Sequence, residues 1–259
     1  MGLRKFSDQD LKEFLDEKVS RYNSTSFIEK DPISIPHRYS KKQDIEIAGF
    51  LAATIAWGQR PVILKNAADL LNRMDNDPHR FLLGYTHQDL QAFRNFNHRT
   101  FNGIDCRYFL RALRHMYQGR ESLEDILASA MSVDAGAHKL IMEWRRIFFS
   151  LKHPPRTQKH FANPEKGSAA KRINMFLRWM IRKDTRGVDF GLWRLPPSLL
   201  VCPLDVHSGR VARKLGLLTR KQNDWAAAME LTTNLRRFDP EDPVKYDFAL
   251  FGLGAFEKF

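Results

Sequence analysis

Cysteine is scarce in this chain: Cys106 and Cys202 are the only two. Two thiols cannot build a multi-bridge disulfide framework, nor supply four thiolates to an iron–sulfur cluster, so no such cofactor is expected. No apolar run approaches the roughly 18 residues of a membrane-spanning helix. The opening MGLRKFSDQD lacks the apolar stretch of a signal peptide, which leaves the cytoplasm as the expected compartment. No His-x-x-x-His and no carboxylate–His spacing suited to a metal stands out, so no metal site is expected. Strand-like alternation is nearly absent, and there is neither an internal repeat nor a low-complexity segment.

Positive charge is abundant. Lys and Arg number 42 against 30 Asp and Glu, a formal net charge of +12. Such a surplus favours polyanions, because phosphates release counterions when lysines and arginines approach. With no spanning segment to favour a membrane, nucleic acid is the leading partner, and simple solubility is the plainer reading. The 259 residues, 43% of them hydrophobic with 19 Phe, suffice for one large domain or two lobes with a sizeable core.

Apolar residues recur at three and four almost throughout, which predicts an all-α fold. Ser7 is a candidate N-cap for a helix over 7–22, with Leu11, Phe14, Leu15 and Val19 on one face. Residues 26–43 read as irregular, broken by Pro32 and Pro36. In DIEIAGFLAATIAWG, Asp44 can cap a helix that is apolar all round from Ile47 to Trp57, the pattern of a central, buried element. The turn Gly58–Pro61 ends it and starts a helix over 61–74. Further amphipathic stretches cover 106–118, 121–131 and 136–150. A basic, proline-rich loop follows over 151–167. Helices are expected over 168–182, 206–217, 222–236 and 243–254, with a long connection over 183–204.

Two segments carry candidate chemistry. The helix over 168–182 has an apolar stripe (Ile173, Phe176, Leu177, Met180, Ile181). It also has a polar one of Lys171, Asn174, Arg178 and Arg182, spaced to follow a phosphate backbone, although a solvated helix face gives the same pattern. The second segment is CPLDVHSGRVARKLGLL. Asp205 is a natural N-cap there, held ionised by the helix dipole and backbone N–H groups. Most such residues are only caps. Cations at Arg210, Arg213 and Lys214 and the bare surface at Gly209 raise the odds of a site.

PLDVHSGRVARKLGLL resembles the segment of helix–hairpin–helix (HhH-GPD) DNA glycosylases that reads roughly V-D-[TV]-H-x-x-R-[VI]-x-x-R-[LM]. By that resemblance Asp205 is the catalytic aspartate, and His207 and Arg210 contact DNA. AGFLAATIAWGQR resembles the family's buried early helix, which ends in a turn entering DNA at the lesion, here Gln59 and Arg60. AAKRINMFL resembles R-K-T-A-N-V-V-L, whose lysine is the nucleophile of bifunctional members. Aligned on Asn174, that lysine is Lys171. DFALFGLGAF stands where the family has a late glycine-containing helix. The hairpin departs from the family's L-P-G-V-G: NPEKGSAAK keeps only Gly167, followed by Ser168. The stretch from Lys171 to Asp205 is also longer than in most members, and the iron–sulfur cysteines are missing after residue 236. Archaeal-type 8-oxoguanine glycosylase/lyases, with an irregular hairpin and a long connection, are the nearer comparison. The chain also resembles DUF2400, a bacterial family known by its numbered domain label. The glycosylase resemblance covers roughly residues 44–254, its sharp motifs about 40 of them.

It implies a bilobal all-α fold with a cleft, one lobe over about 45–165 and the other formed by 1–44 with 166–259. The implied activity is a DNA repair N-glycosylase with AP-lyase action, monomeric, nucleoid-associated and cofactor-free. Its partner is double-stranded DNA carrying a damaged base, an oxidised purine such as 8-oxoguanine being favoured. Asp205 would stabilise positive charge on the sugar and Lys171 would attack C1′. Gly167, Ser168, Asn174 and Arg178 would line the backbone. Of the tryptophans that could stack on a flipped base, Trp193 suits a pocket better than Trp57 or Trp179. The other reading is a non-catalytic DNA- or RNA-binding protein that keeps the fold. A helical scaffold is weaker still. His37, His98 and Arg99 receive no role.

Overall fold

The computed structural model describes residues 7–130 and 136–259. Residue 131 of the helix expected over 121–131 lies outside these, as do residues 1–6, on which part of the signal-peptide reading rests. The described chain is all-α, and it separates into two compact units, Ile28–Asn163 and Met1–Phe27 with Pro164–Phe259. Residues 28–44, expected with the terminal unit, belong to the middle one. No helix of the described residues is long and apolar enough to cross a membrane.

Helix α1 (Asp8–Tyr22) opens the terminal unit. Ser7 caps it in a reciprocal box with Asp10, satisfying two N–H groups that would otherwise lack partners.

The middle unit is built on α2 (Lys42–Thr54), which is buried from Asp44 to Thr54. Two further helices follow, α3 (Arg60–Asn72) and α4 (Pro78–Gly84). A two-residue ribbon then pairs β1 (Asn97–His98) with β2 (Phe101–Asn102) in antiparallel register. Beyond it come α5 (Gly103–Tyr117), α6 (Glu124–Ala130) and α7 (Ala137–Phe148). Asp44, expected to cap α2, sits inside its first turn instead. Lys41 is the capping position, and the Asp44 carboxylate accepts from the backbone N–H of His79 at 2.8 Å. The phenylalanines do gather in a core: Phe50 on α2 packs against Phe109, Trp144, Phe148 and Phe161, with ring centroids 5.4–6.0 Å apart. Buried aromatic pairs of this kind add to the transfer energy of the rings themselves.

The terminal unit continues with α8 (Lys171–Ile181), α9 (Val206–Lys214), α10 (Trp225–Arg236) and α11 (Tyr246–Ala255). The expected connection over 183–204 is not loose. Phe190 N–H donates to the Trp179 carbonyl at 2.8 Å and Trp193 N–H to that of Met180 at 2.9 Å, so this segment folds back onto the end of α8.

Helix α11 packs against α1 on one side and α9 on the other, and its glycines permit both approaches. A Cβ on Gly252 would fall 2.1 Å from the Tyr22 ring, and one on Gly254 would fall 3.1 Å from the Cβ of His207. Tyr22 is held in place by stacking on Phe256 and by a 2.5 Å hydrogen bond to Glu257. Its ring therefore cannot yield cheaply. Gly252→Ala is expected to destabilise the protein by roughly 2–3 kcal/mol in urea unfolding, while Gly119→Ala, whose Cβ meets nothing within 4 Å but whose φ is +71°, should cost about 1 kcal/mol.

Candidate active site

Asp205 sits at the N-cap of α9 in extended backbone conformation, as the Pro-Leu-Asp sequence leads one to expect. Its two oxygens are used differently. Oδ1 accepts from the backbone N–H groups of His207 and Ser208 at 2.8 and 3.0 Å, while the Ser208 hydroxyl accepts from the Asp205 N–H at 2.9 Å. Oδ2 faces Lys171 Nζ at 3.7 Å. Burial pushes the Asp205 carboxyl up, but the Lys171 ammonium and the two backbone donors outweigh it. The group is thus held below the usual carboxylate range, and it is ionised at neutral pH.

Lys171 is the first residue of α8, and the capping residue before it, Ala170, lies in the left-handed region at φ 50°. Gly167 also has positive φ, and its missing Cβ would meet nothing within 4 Å. Between them Ser168 pairs with Asp224 as an isolated bridge, Trp225 N–H donates to the Gly167 carbonyl, and the Ser168 hydroxyl accepts from Ala170 N–H at 3.2 Å. The irregular hairpin is thus an ordered turn, with Gly167 and Ser168 exposed.

Lys171 and Asp205 are both partly open, with 29% and 26% of their side-chain surfaces exposed. An ammonium that can lose its proton and attack carbon therefore stands beside a fixed negative charge that can stabilise a cationic centre. His207 and Arg210 are exposed on the same helix, and one Arg210 amino group donates to the Gly254 carbonyl at 3.1 Å.

The rest of the polar stripe on α8 does not face solvent. Asn174 is 1% exposed, and its amide donates to the Ala169 carbonyl at 3.2 Å, tying the turn to the helix. Arg178 is 3% exposed and pairs with Asp189 at 3.2 Å and with Asp247; Arg182 bonds Asp184, Asp189 and Asp242. The backbone-contact expectation for Asn174 and Arg178 is accordingly corrected: both are interior residues, since carboxylates from later segments cover that face. Burial pushes the Asp247 carboxyl up to about 6 against the pull of Arg178 and Lys171, with Asp205 adding to the rise. Asp247 is thus an electrostatic neighbour of the pair. The sequence offered one sign of it, a single acid inside the apolar run YDFALFGLGAF. Trp193 is likewise buried, edge-on to Phe176 at 5.5 Å, so it is part of the core and not the wall of an open pocket.

In the middle unit, Gln59 is exposed and precedes α3, and its side chain makes no capping bond. The turn around it is braced by the ribbon. His98 Nδ1 accepts from Asn66 at 2.9 Å, so Nε2 carries the proton and donates to the Trp57 carbonyl at 3.1 Å. Arg99, exposed at the ribbon tip with φ 56°, lies over Gly58, where any Cβ would come within 2.9 Å of its guanidinium. Arg60 follows Gln59 as the first residue of α3. These contacts give His98 and Arg99 the place that sequence reading could not assign.

Both cysteines are buried free thiols, and no cluster of three or more metal-ligating side chains occurs among the described residues.

Fold and site together define an all-helical protein with a lysine–aspartate pair at adjoining helix N-termini. The chain belongs to the family described as protein of unknown function (DUF2400), whose model matches residues 31–256. Neither the curated proteins nor the solved structures contain a match to it.

Proposed function

We propose that this protein is a DNA N-glycosylase with AP-lyase activity, of the helix–hairpin–helix type. The observation that carries the reading is the approach of Lys171 Nζ to Asp205 Oδ2 at 3.7 Å, because these residues were paired by motif resemblance alone and lie far apart in the chain.

The chemistry follows from the two groups. Breaking the C1′–N bond sends its electron pair to the leaving base, which takes up a proton, and leaves positive charge on the sugar. The ionised Asp205 stabilises that charge without moving a proton. The Lys171 amine, once deprotonated, bonds to C1′, and opening of the sugar ring gives an iminium. Loss of a C2′ proton then expels the 3′ phosphate and nicks the strand. The target nucleotide must leave the helix to reach such a site. By the motif resemblance Gln59 of the middle unit, exposed ahead of α3 and preceded by Gly58 under Arg99, is the side chain that would fill the gap. His207, Arg210, Gly167 and Ser168 support the reading as backbone contacts, and the net charge of +12 supports a polyanionic partner. Oxidised purines are the favoured lesions, on the resemblance to archaeal-type 8-oxoguanine enzymes.

The test is incubation with duplexes bearing an abasic site or 8-oxoguanine in the presence of borohydride. A covalent protein–DNA adduct is expected. Tight binding with neither adduct nor base release on any lesion would instead leave a nucleic-acid-binding protein that keeps the fold.

A further inference from the structure

Gly209 lies one turn into α9 and is bare for a reason: the side chain of Asn223 rests on it, with Oδ1 2.8 Å from where a Cβ would stand. From there the Asn223 amide donates to the Asp205 carbonyl at 3.0 Å and its oxygen accepts from Arg213 at 2.7 Å. Arg213 also donates to the carbonyls of Arg220 and Lys221, so the loop after α9 is wired to α9 itself. The next two residues grip the other side of the site. Asp224 forms the bridge to Ser168, and Trp225 N–H bonds the Gly167 carbonyl at 3.1 Å. Asp224 is fixed in turn by capping α10 through Ala227 N–H. Three consecutive residues therefore hold the backbone at Asp205 and the backbone just ahead of Lys171.

We infer that Asn223, Asp224 and Trp225 form a yoke that sets the separation of Lys171 and Asp205, with Asn223 a positioning residue for the reaction. The inference rests on the lyase reading above. Asn223 is exposed, and its side chain bonds the Asp205 carbonyl and Arg213, so its removal is expected to leave the hydrophobic core in place. What it changes is the orientation of Asp205 toward Lys171. Misplacement of a reacting group by about 1 Å lowers a rate roughly a hundredfold.

The experiment compares the full-length protein with Asn223→Ala, Gly209→Ala and the double variant, on an abasic duplex with borohydride. Asn223→Ala is expected to slow adduct formation at saturating DNA at least tenfold, leaving the duplex Kd and the melting temperature unchanged. Gly209→Ala, whose Cβ would displace the Asn223 amide together with the Arg213 guanidinium bonded to it, should slow the adduct likewise, and the double variant should be no slower than the slower single one. The pH titration of the Asp205 carboxyl, followed by carbon NMR without DNA, supplies a readout independent of turnover. Its midpoint should move up in Asn223→Ala as Lys171 draws away. An active wild type with unchanged rate and midpoint in Asn223→Ala would overturn the yoke alone. A wild type that traps nothing would overturn the lyase reading, and the Asp205 midpoint would still decide the yoke.

Discussion

Replacing Lys171 with alanine is expected to abolish the borohydride-trapped adduct, while the affinity for an abasic duplex changes by no more than about threefold. The amine is the atom that becomes covalently linked, and its loss removes the iminium altogether. Its charge is one of many on a strongly basic protein, so binding depends little on it. Asp205→Asn should behave differently. It keeps a cap oxygen for His207 and Ser208 but removes the fixed negative charge, and a loss of about two to three orders of magnitude in rate is expected, with the adduct still formed at long times. The pH dependence carries a further check. Asp205 is held below the ordinary carboxylate range, first by Lys171. The folded protein therefore keeps this charge as pH falls through that range, while the unfolded chain takes up its proton there; the stability the group contributes is full above the ordinary carboxylate value and is lost as pH falls from that value through the depressed one. In Lys171→Ala the leading cause of the depression is gone, so the Asp205 midpoint should rise toward the ordinary value. An adduct that survives Lys171→Ala would assign the nucleophile to another amine and end the pairing argument.

What could be read in the sequence was whatever local rules decide. Ser7 caps α1 because a serine before an amphipathic run, with an acid three residues on, satisfies the first turn by itself. Asp205 caps α9 for the same reason, and α2 is buried because no polar stripe interrupts it. The reading failed where distant segments decide. Asp44 is drawn from its capping role by the His79 N–H. The ribbon at 97–102 has two residues per strand, too few for alternation to register, yet it braces the Gln59 turn. The polar face of α8 looks like a solvated stripe in sequence, because nothing at Asn174, Arg178 or Arg182 announces that carboxylates from 184, 189, 242 and 247 will cover it. Asn223 itself stands in no motif; the one signal was Gly209, whose bare surface lets the returning loop lay Asn223 on α9.

Arg178→Met is expected to destabilise the protein by about 3–5 kcal/mol in urea unfolding, a large share of an ordinary domain's stability. Methionine can fill much of the guanidinium's place beside Phe248, which the arginine covers at 4.3 Å, so the loss would come from charge. Asp247 is left without its ion-pair partner and Asp189 with Arg182 only, both in the interior. The pH dependence separates this from simple loss of packing. Burial already raises Asp247 to about 6, so between the ordinary carboxylate range and 6 the folded state binds more protons than the unfolded chain. Stability due to this group is present below that range and declines as pH rises through it. Without Arg178 the Asp247 carboxyl shifts further upward, and the penalty of the variant should be greater at pH 7 than at pH 5, where the proton already neutralises the group. Arg178→Met combined with Asp247→Leu should regain part of the loss at pH 7, because the charge left stranded by the first change is removed by the second. An equal penalty at both pH values, or no recovery in the double variant, would mean that Arg178 acts by filling space. The Arg178–Asp247 ion pair that ties α8, and with it Lys171, to α11 would then have no part in fixing the site.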